Sequence, residues 1–276
     1  MTRHYVTAAR LTSVDARLTD HDRAVLHRVL DLGFASGDQL ARMHFADRDD
    51  ADAQARAARR ALVRLTRLDC LARLPRRVGG ERAGSAGFVY RLGLAGQRLA
   101  ILYGWQPDRR GRRSHVPGTF FLNHSLAVAE LVTLLIEGDR SRRFELLELS
   151  AEPACWRSYS GIGSQGRATL KPDSYVRLGV GDYEDSYFVE VDMGSEGSHT
   201  LGRKLAEYVA YQTSGREQEQ RGVFPRVLWL APDEQRVEVI ERCVGRLAAA
   251  SRELFAVALQ ADAVDVVSGT SKATHS

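Results

Sequence analysis

Hydrophobic positions recur at helical spacing over the first seventy residues and change to alternation and short apolar runs beyond residue 119. In "LTDHDRAVLHRVLDLGF" Thr19 or Asp20 is placed to cap a helix whose inward positions are Val25, Leu26, Val29 and Leu30, and Gly33 stops it. "SGDQLARMHF" opens a second helix, with Ser36 and Gln39 in capping-box register. After "ADRDDAD" a third helix runs through "AQARAARRALVRLTRL". At 100° per residue Ala58, Ala61, Leu62, Leu65 and Leu68 share its inner face, and Arg56, Arg60, Arg64 and Arg67 share the opposite one. "CLARLPRRV" and "FVYRLGL" then read as strands about the glycine-rich "GGERAGSAG".

The later pattern reads differently. "TFFLNHSLAVAELVTLLIEG" predicts a buried helix with Leu122, Leu126, Ala129, Thr133 and Ile136 along one side. "RFELLELSAEPACW", "ATLKPDSYVRLGV" and "DSYFVEVDMG" predict three strands, the last two joined by the turn "GVGDYED". A helix over "HTLGRKLAEYVAYQTS", a buried strand over "FPRVLWLAP" and a long final helix over "EQRVEVIERCVGRLAAASRELFAVAL" complete an αβββαβ order with a trailing helix. The expected organisation is an N-terminal tail over 1–18, a first domain over 19–105, a linker over 106–118, a second domain over 119–262 and a polar, disordered tail over 263–276.

Three helices followed by a β-hairpin is the order of a winged helix-turn-helix, in which the third helix enters the major groove and the hairpin touches the backbone. Charge supports that reading. Residues 1–118 hold 22 Arg against 12 Asp and Glu, a net +10, whereas residues 119–276 hold 17 Lys and Arg against 23 acids, a net −6. The basic half suits a polyanion. Arg56, Arg60, Arg64 and Arg67 on the helix, with Arg76, Arg77 and Arg82 on or near the wing, are the expected contacts to double-stranded DNA. The linker "GWQPDRRGRRSHVPG" adds four arginines without periodicity.

The acidic half raises a question of its own, because carboxylates stand inside apolar strand sequence in "KPDSYVRL" and "YFVEVDMG". Glu190 and Asp192 are two residues apart and project from one face of their strand, while Val189 and Val191 take the other. Asp173 follows Pro172, whose fixed φ stiffens its presentation. Asp173 on one strand and Glu-x-Asp on the next, within an αβββαβ order, resemble the PD-(D/E)xK nuclease-like core. Carboxylate oxygens from adjacent strands are the ligands that Mg²⁺ or Mn²⁺ prefers. Such an ion polarises a phosphodiester and acidifies an attacking water. The motif's usual lysine is replaced by Asp192. Lys204, one of three lysines beside 36 arginines, stands in the following helix and shares a face with Tyr208 and Tyr211.

In order, "LTDHDRAVLHRVLDLGF…QLARMHF", "RRALVRLTRLDCLARL", "VYRLGLAGQRLA", "LNHSLAVAEL", "KPDSYVRL", "YFVEVDMGSE", "LGRKLAEYVAYQ" and "FPRVLWLAP" resemble the replication-relaxation family of bacterial plasmid and integrative-element proteins. That family is similar to nuclease-like conjugative relaxases. The resemblance implies a winged helix that finds a DNA site and a metal-dependent nicking core. Asp173 and Glu190 would then be metal ligands and catalytic groups, with Asp192 and Lys204 beside them. His124, Glu130 and Glu148 are further members of the expected site. Replication or conjugation proteins are the implied partners. The alternatives are a DNA-binding regulator or replication accessory whose nuclease-like domain has lost its chemistry, and a protein-binding adaptor.

Other signals narrow the picture. Cys70, Cys155 and Cys243 are odd in number and far apart, which gives neither a disulfide framework nor zinc spacing. The start of the chain lacks an apolar signal core and no apolar run reaches about 18 residues, so a cytoplasmic protein without a membrane is expected. "GIGSQG" lies between strands rather than opening a helix, as a dinucleotide fingerprint must, and reads as a turn. No nucleophile elbow supports serine or cysteine catalysis. Any exposed tyrosine remains chemically competent to attack DNA.

Overall fold

The computed structural model describes residues 6–47, 50–77, 87–105, 118–160 and 166–270. The fold is mixed α/β, and the chain divides into two units, 1–133 and 134–276.

The first unit begins with α1 (Ala8–Asp15), α2 (Asp20–Leu32), the two-residue β1 (Ala35–Ser36), α3 (Gly37–His44) and α4 (Ala51–Arg67). It continues through β2 (Leu71–Arg77), β3 (Phe88–Leu92) and α5 (Leu94–Leu102), and takes in the opening turns of α6 (Thr119–Arg140). The helix starts follow side-chain chemistry. Thr19 Oγ1 accepts from the Asp22 amide at 3.1 Å while Asp22 accepts from the Thr19 amide at 2.9 Å. Ser36 and Gln39 exchange the same pair of bonds at 3.1 and 3.0 Å. Each box satisfies two helix donors that would otherwise lack partners. α2 ends at Gly33, whose φ of +71° only glycine adopts cheaply.

β1, β3 and β2 form an antiparallel sheet in that order, with Ala35 opposite Tyr90 and Leu71 opposite Leu92. Val25, Leu26, Val29, Leu40, Leu62 and Leu65 are buried beneath the helices. Leu74 and Val89 of the sheet pack with Leu122 and Leu126 of α6. The division between the units falls within α6, between Thr133 and Leu134. Of the linker expected over 106–118, residues 106–117 lie outside the described residues, as does Arg82, expected on or near the wing.

Two elements of this unit differ from expectation. The segment read as a tail holds α1, with Leu11, Val14 and Leu18 buried and Arg98 of α5 donating to the Val6 carbonyl at 2.8 Å. α5 itself follows β3 where no helix was expected. Gly93 and Gly96 make this possible, since a Cβ at either position would stand 2.3 or 2.1 Å from the carbonyl oxygen of Asp69 or Cys70.

The second unit contains β4 (Glu145–Ala151), a hairpin of β5 (Arg157–Ser160) and β6 (Arg167–Leu170), β7 (Ser174–Val180) and β8 (Tyr183–Val191). Then come α7 (Ser198–Thr213), α8 (Arg216–Arg221), β9 (Arg226–Ala231), α9 (Glu234–Val244), α10 (Ala249–Arg252), β10 (Phe255–Leu259) and α11 (Ala263–Val267). The main sheet runs β10–β9–β8–β7–β4. β4, β7 and β8 pair antiparallel, while β8, β9 and β10 are parallel.

One sheet face carries Tyr175, Phe188, Val227, Trp229, Phe255 and Val257 against Leu201, Leu205, Tyr208 and Tyr211 of α7 and Ile240 and Val244 of α9. Val176, Val189, Val191, Leu228 and Leu230 alternate with these and are buried as well. Burial on both faces accounts for the unbroken apolar run of β9.

Here too the structure corrects the expectation. "FAVAL" is β10, paired in parallel with β9, rather than the end of a long helix. The strand expected over 168–180 breaks at Lys171–Asp173 into β6 and β7, and residues 263–267 form α11 with Ala263 and Val267 buried, not a disordered tail. α6 is long and apolar enough to cross a membrane by length and composition, but close to half of its apolar window is buried inside the protein.

Candidate functional site

β7 and β8 run side by side, and their register sets Ser174 opposite Val189. Asp173 therefore precedes β7 at the end where β8 delivers Glu190. The two carboxyl-bearing residues are 8% and 3% exposed. Asp173 is tied to β8 at both backbone and side chain. Its amide donates to the Val189 carbonyl at 3.1 Å, and its Oδ2 accepts from the Val191 amide at 2.7 Å.

Glu190 faces α7. Its Oε1 accepts from the Tyr208 hydroxyl at 2.5 Å, and its Oε2 lies 3.4 Å from Lys204 Nζ. Lys204 also reaches Glu196 Oε1 at 3.2 Å and stands 5.9 Å from the ring centroid of Trp229, the register partner of Glu190 on β9. Lys204 and Tyr208 are one helical turn apart, so one face of α7 supplies both donors. The Asp173–Glu190–Lys204 grouping expected from the sequence is present, with Tyr208 and Glu196 added to it.

The electrostatics follow from crowding. Burial, reinforced by the neighbouring Asp173 carboxylate, pushes the Glu190 carboxyl well above its ordinary value against the pull of Lys204 and Tyr208. Burial works against the Lys204 ammonium, but Glu190, Glu196 and Asp173 outweigh it and hold the amine charged. Burial and then Glu190 drive the Tyr208 hydroxyl far above the usual phenol range. Tyr208 is thus a hydrogen-bond donor to Glu190 and not an activated nucleophile. Cys155, whose Sγ donates to the Pro172 carbonyl at 3.0 Å, is pushed up to about 12 by burial and by Asp173 and stays an unreactive thiol.

Asp192 is elsewhere engaged. Arg236 of α9 grips it in a bidentate pair, Nε to Oδ1 at 2.9 Å and Nη2 to Oδ2 at 2.7 Å, with both side chains buried. The Gly194 amide also donates to Asp192. Its carboxylate holds the end of β8 to α9. Strand alternation set it beside Glu190. Its buried counterion, 44 residues further on, could not be foreseen from local sequence.

Glu130 and Glu148 fall into other networks. Glu130 belongs to the first unit, where it accepts from Arg42 at 2.6 Å and Gln39 at 3.0 Å. His124 lies on the same part of α6. Glu148 joins Arg221 at 2.9 Å and Arg177 at 3.7 Å, and the Arg221 hydrogen bond outweighs burial to hold its carboxyl low.

Among the described residues no group of three His, Cys, Asp or Glu side chains is placed to hold a metal ion. Asp173 and Glu190 fit a hard divalent cation in donor type and in their mutual repulsion, since Mg²⁺ commonly takes one or two carboxylates and completes its shell with water and phosphate oxygens.

In the first unit, α4 divides its arginines. Arg64 donates to the almost fully buried Asp22 at 2.6 Å and so supports the cap of α2. Arg56, Arg59, Arg60 and Arg67 are exposed, and among the described residues no carboxylate pairs with them. Arg59 was not among the expected contacts, although its exposure beside Arg60 follows from the same wheel. Arg76 and Arg77 occupy the end of β2.

A mixed α/β protein with a helical unit bearing unpaired arginines and a sheet unit bearing a buried carboxylate–lysine–tyrosine cluster is the class these features define. The family model for replication-relaxation matches residues 26–227, and the chain belongs to that family. Membership ties it to the replication or relaxation of plasmids and related elements. No curated protein and no solved structure matches it.

Proposed function

We propose that this chain recognises a site on duplex DNA with its first unit and nicks or relaxes DNA with its second. The observation that carries the reading is the convergence of Asp173, Glu190 and Lys204 from two neighbouring strands and the next helix. The order α6–β4–β7–β8–α7–β9 around them supports a PD-(D/E)xK nuclease-like core. The order α2–β1–α3–α4–β2–β3, with sheet order β1–β3–β2, supports a winged helix-turn-helix. The unpaired arginines of α4 supply phosphate contacts.

Asp173 and Glu190 would hold Mg²⁺ or Mn²⁺, which when bound polarises the phosphodiester and lowers the pKa of a water. Lys204 supplies a fixed positive charge where negative charge develops. Tyr208 orients Glu190, and Glu196 holds Lys204 in its charged form. Replication or conjugation proteins are the partners expected for such an activity.

A second reading is a DNA-binding replication accessory with a silent nuclease-like unit. It is favoured by the engagement of both Glu190 oxygens, one by Tyr208 and one by Lys204.

The test is nicking of a supercoiled plasmid carrying the host element's origin, with Mg²⁺. Wild type should yield nicked circles, Asp173→Asn and Glu190→Gln should not, and Lys204→Ala should be slow. Duplex affinity should persist in all three variants. Duplex binding without nicking by the wild type selects the second reading.

A further inference from the structure

The β5–β6 hairpin points its open end toward the acidic cluster. Arg157 pairs with Leu170 as the last register pair, so Trp156 and Lys171 come next, and the chain then enters Pro172 and Asp173. The Cys155–Pro172 hydrogen bond fastens these two segments together. Lys171 Nζ lies 5.1 Å from the centroid of the Trp156 ring. Trp156 is 37% exposed, although an indole gains more than almost any other side chain from burial. Lys171 is exposed as well, and among the described residues no carboxylate pairs with it. A cation seated against one part of an indole fixes the ring and leaves the remaining surface open.

We propose that Trp156 and Lys171 seat an unpaired nucleotide of single-stranded DNA beside the Asp173–Glu190 cluster. The base stacks on the indole and Lys171 contacts the adjoining phosphate. The proposal rests on the DNA-processing reading and adds the strand form that the second unit holds. Duplex DNA keeps its bases stacked on one another and cannot use the indole face. A melted or nicked strand can, and stacking accepts any base. The lysine provides the point charge that a backbone phosphate needs.

The experiment uses the full chain, an oligothymidine of about ten nucleotides and a duplex of the host element's origin, both followed by fluorescence anisotropy. Trp156→Ala should weaken oligothymidine binding about tenfold, a single stacking contact, and leave duplex affinity unchanged. Trp156→Phe, which keeps an aromatic face and guards against a folding artefact, should recover most of the loss. Lys171→Ala should lower the slope of log affinity against log salt by about 0.7 for the single strand.

Equal oligothymidine affinity for wild type and Trp156→Ala overturns the proposal, as does duplex binding by a wild type that ignores the single strand. In either case the DNA-processing reading stands. A wild type that binds neither DNA overturns both.

Discussion

Tyr208 donates a hydrogen bond from its hydroxyl to Glu190 Oε1 at 2.5 Å, and both side chains are almost wholly excluded from water. The bond compensates part of the cost of burying that carboxyl group, which Lys204 meets from the other oxygen. Tyr208→Phe leaves an acceptor unsatisfied without opening a large cavity. It should cost about 1–3 kcal/mol of stability in urea unfolding.

The same carboxyl group sets a pH dependence. Burial and Asp173 raise Glu190 to about 8, against 4.5 for an ordinary glutamate. The folded chain therefore binds this proton more tightly than the unfolded one. The associated stability is complete below the unfolded value and is lost as pH rises through the folded one. In metal-free buffer Glu190→Gln should match the wild type near the acid end of that window and become the more stable protein toward its alkaline end. A constant difference across the window, measured by urea unfolding, would contradict this account.

Divalent metal should act in the opposite sense. Bound at the proposed site, Mg²⁺ or Mn²⁺ would relieve the repulsion between Asp173 and Glu190 and stabilise the folded state by mass action. The melting temperature of the wild type should rise with metal concentration, and that of Asp173→Asn should not.

The Asp192–Arg236 pair is a matter of stability. Arg236→Met strands a buried carboxylate and should cost roughly 3–5 kcal/mol. Replacing both partners with apolar residues of similar size should recover much of it, as chemical unfolding of the single and double variants would reveal.

Asp22 offers a contrasting titration. Burial pulls its carboxyl upward, but hydrogen bonds from Arg64 and Thr19 outweigh this and leave it below its ordinary value of 3.8. Its contribution is present above that value and disappears as pH falls through the folded one. Asp22→Asn should be less stable than wild type by about 1–3 kcal/mol at neutral pH. Thermal melts should show the gap closing in acid.

Much of this architecture could be read in the sequence, because it was written in short-range chemistry. The capping residues of α2 and α3, the apolar stripe of α4 and the alternation in β8 each lie within one window of residues. The Asp173–Glu190–Lys204 grouping was legible because adjacent strands and the helix that follows them have few ways to meet. What escaped was set at long range. "AAASRELFAVAL" has helical composition, yet pairing with β9 makes its last five residues a strand. α1 is eight residues long, and its inward positions have meaning only against α5. The roles of Glu130 and Glu148 depended on arginines 88 and 73 residues away.

The division of labour along α4 bears on how such a protein changes over generations. Arg64 is bound into the fold through Asp22, so its loss damages the helix cap whatever the chain binds. Arg56, Arg59, Arg60 and Arg67 are exposed and pair with no carboxylate among the described residues, and exchanging a surface residue of that kind usually alters stability by less than about 0.5 kcal/mol. One side of the helix is therefore free to drift while its neighbour is held constant. On the proposed reading, the contacts that this helix makes with DNA phosphates can be strengthened or weakened at these four positions without first having to rescue the fold.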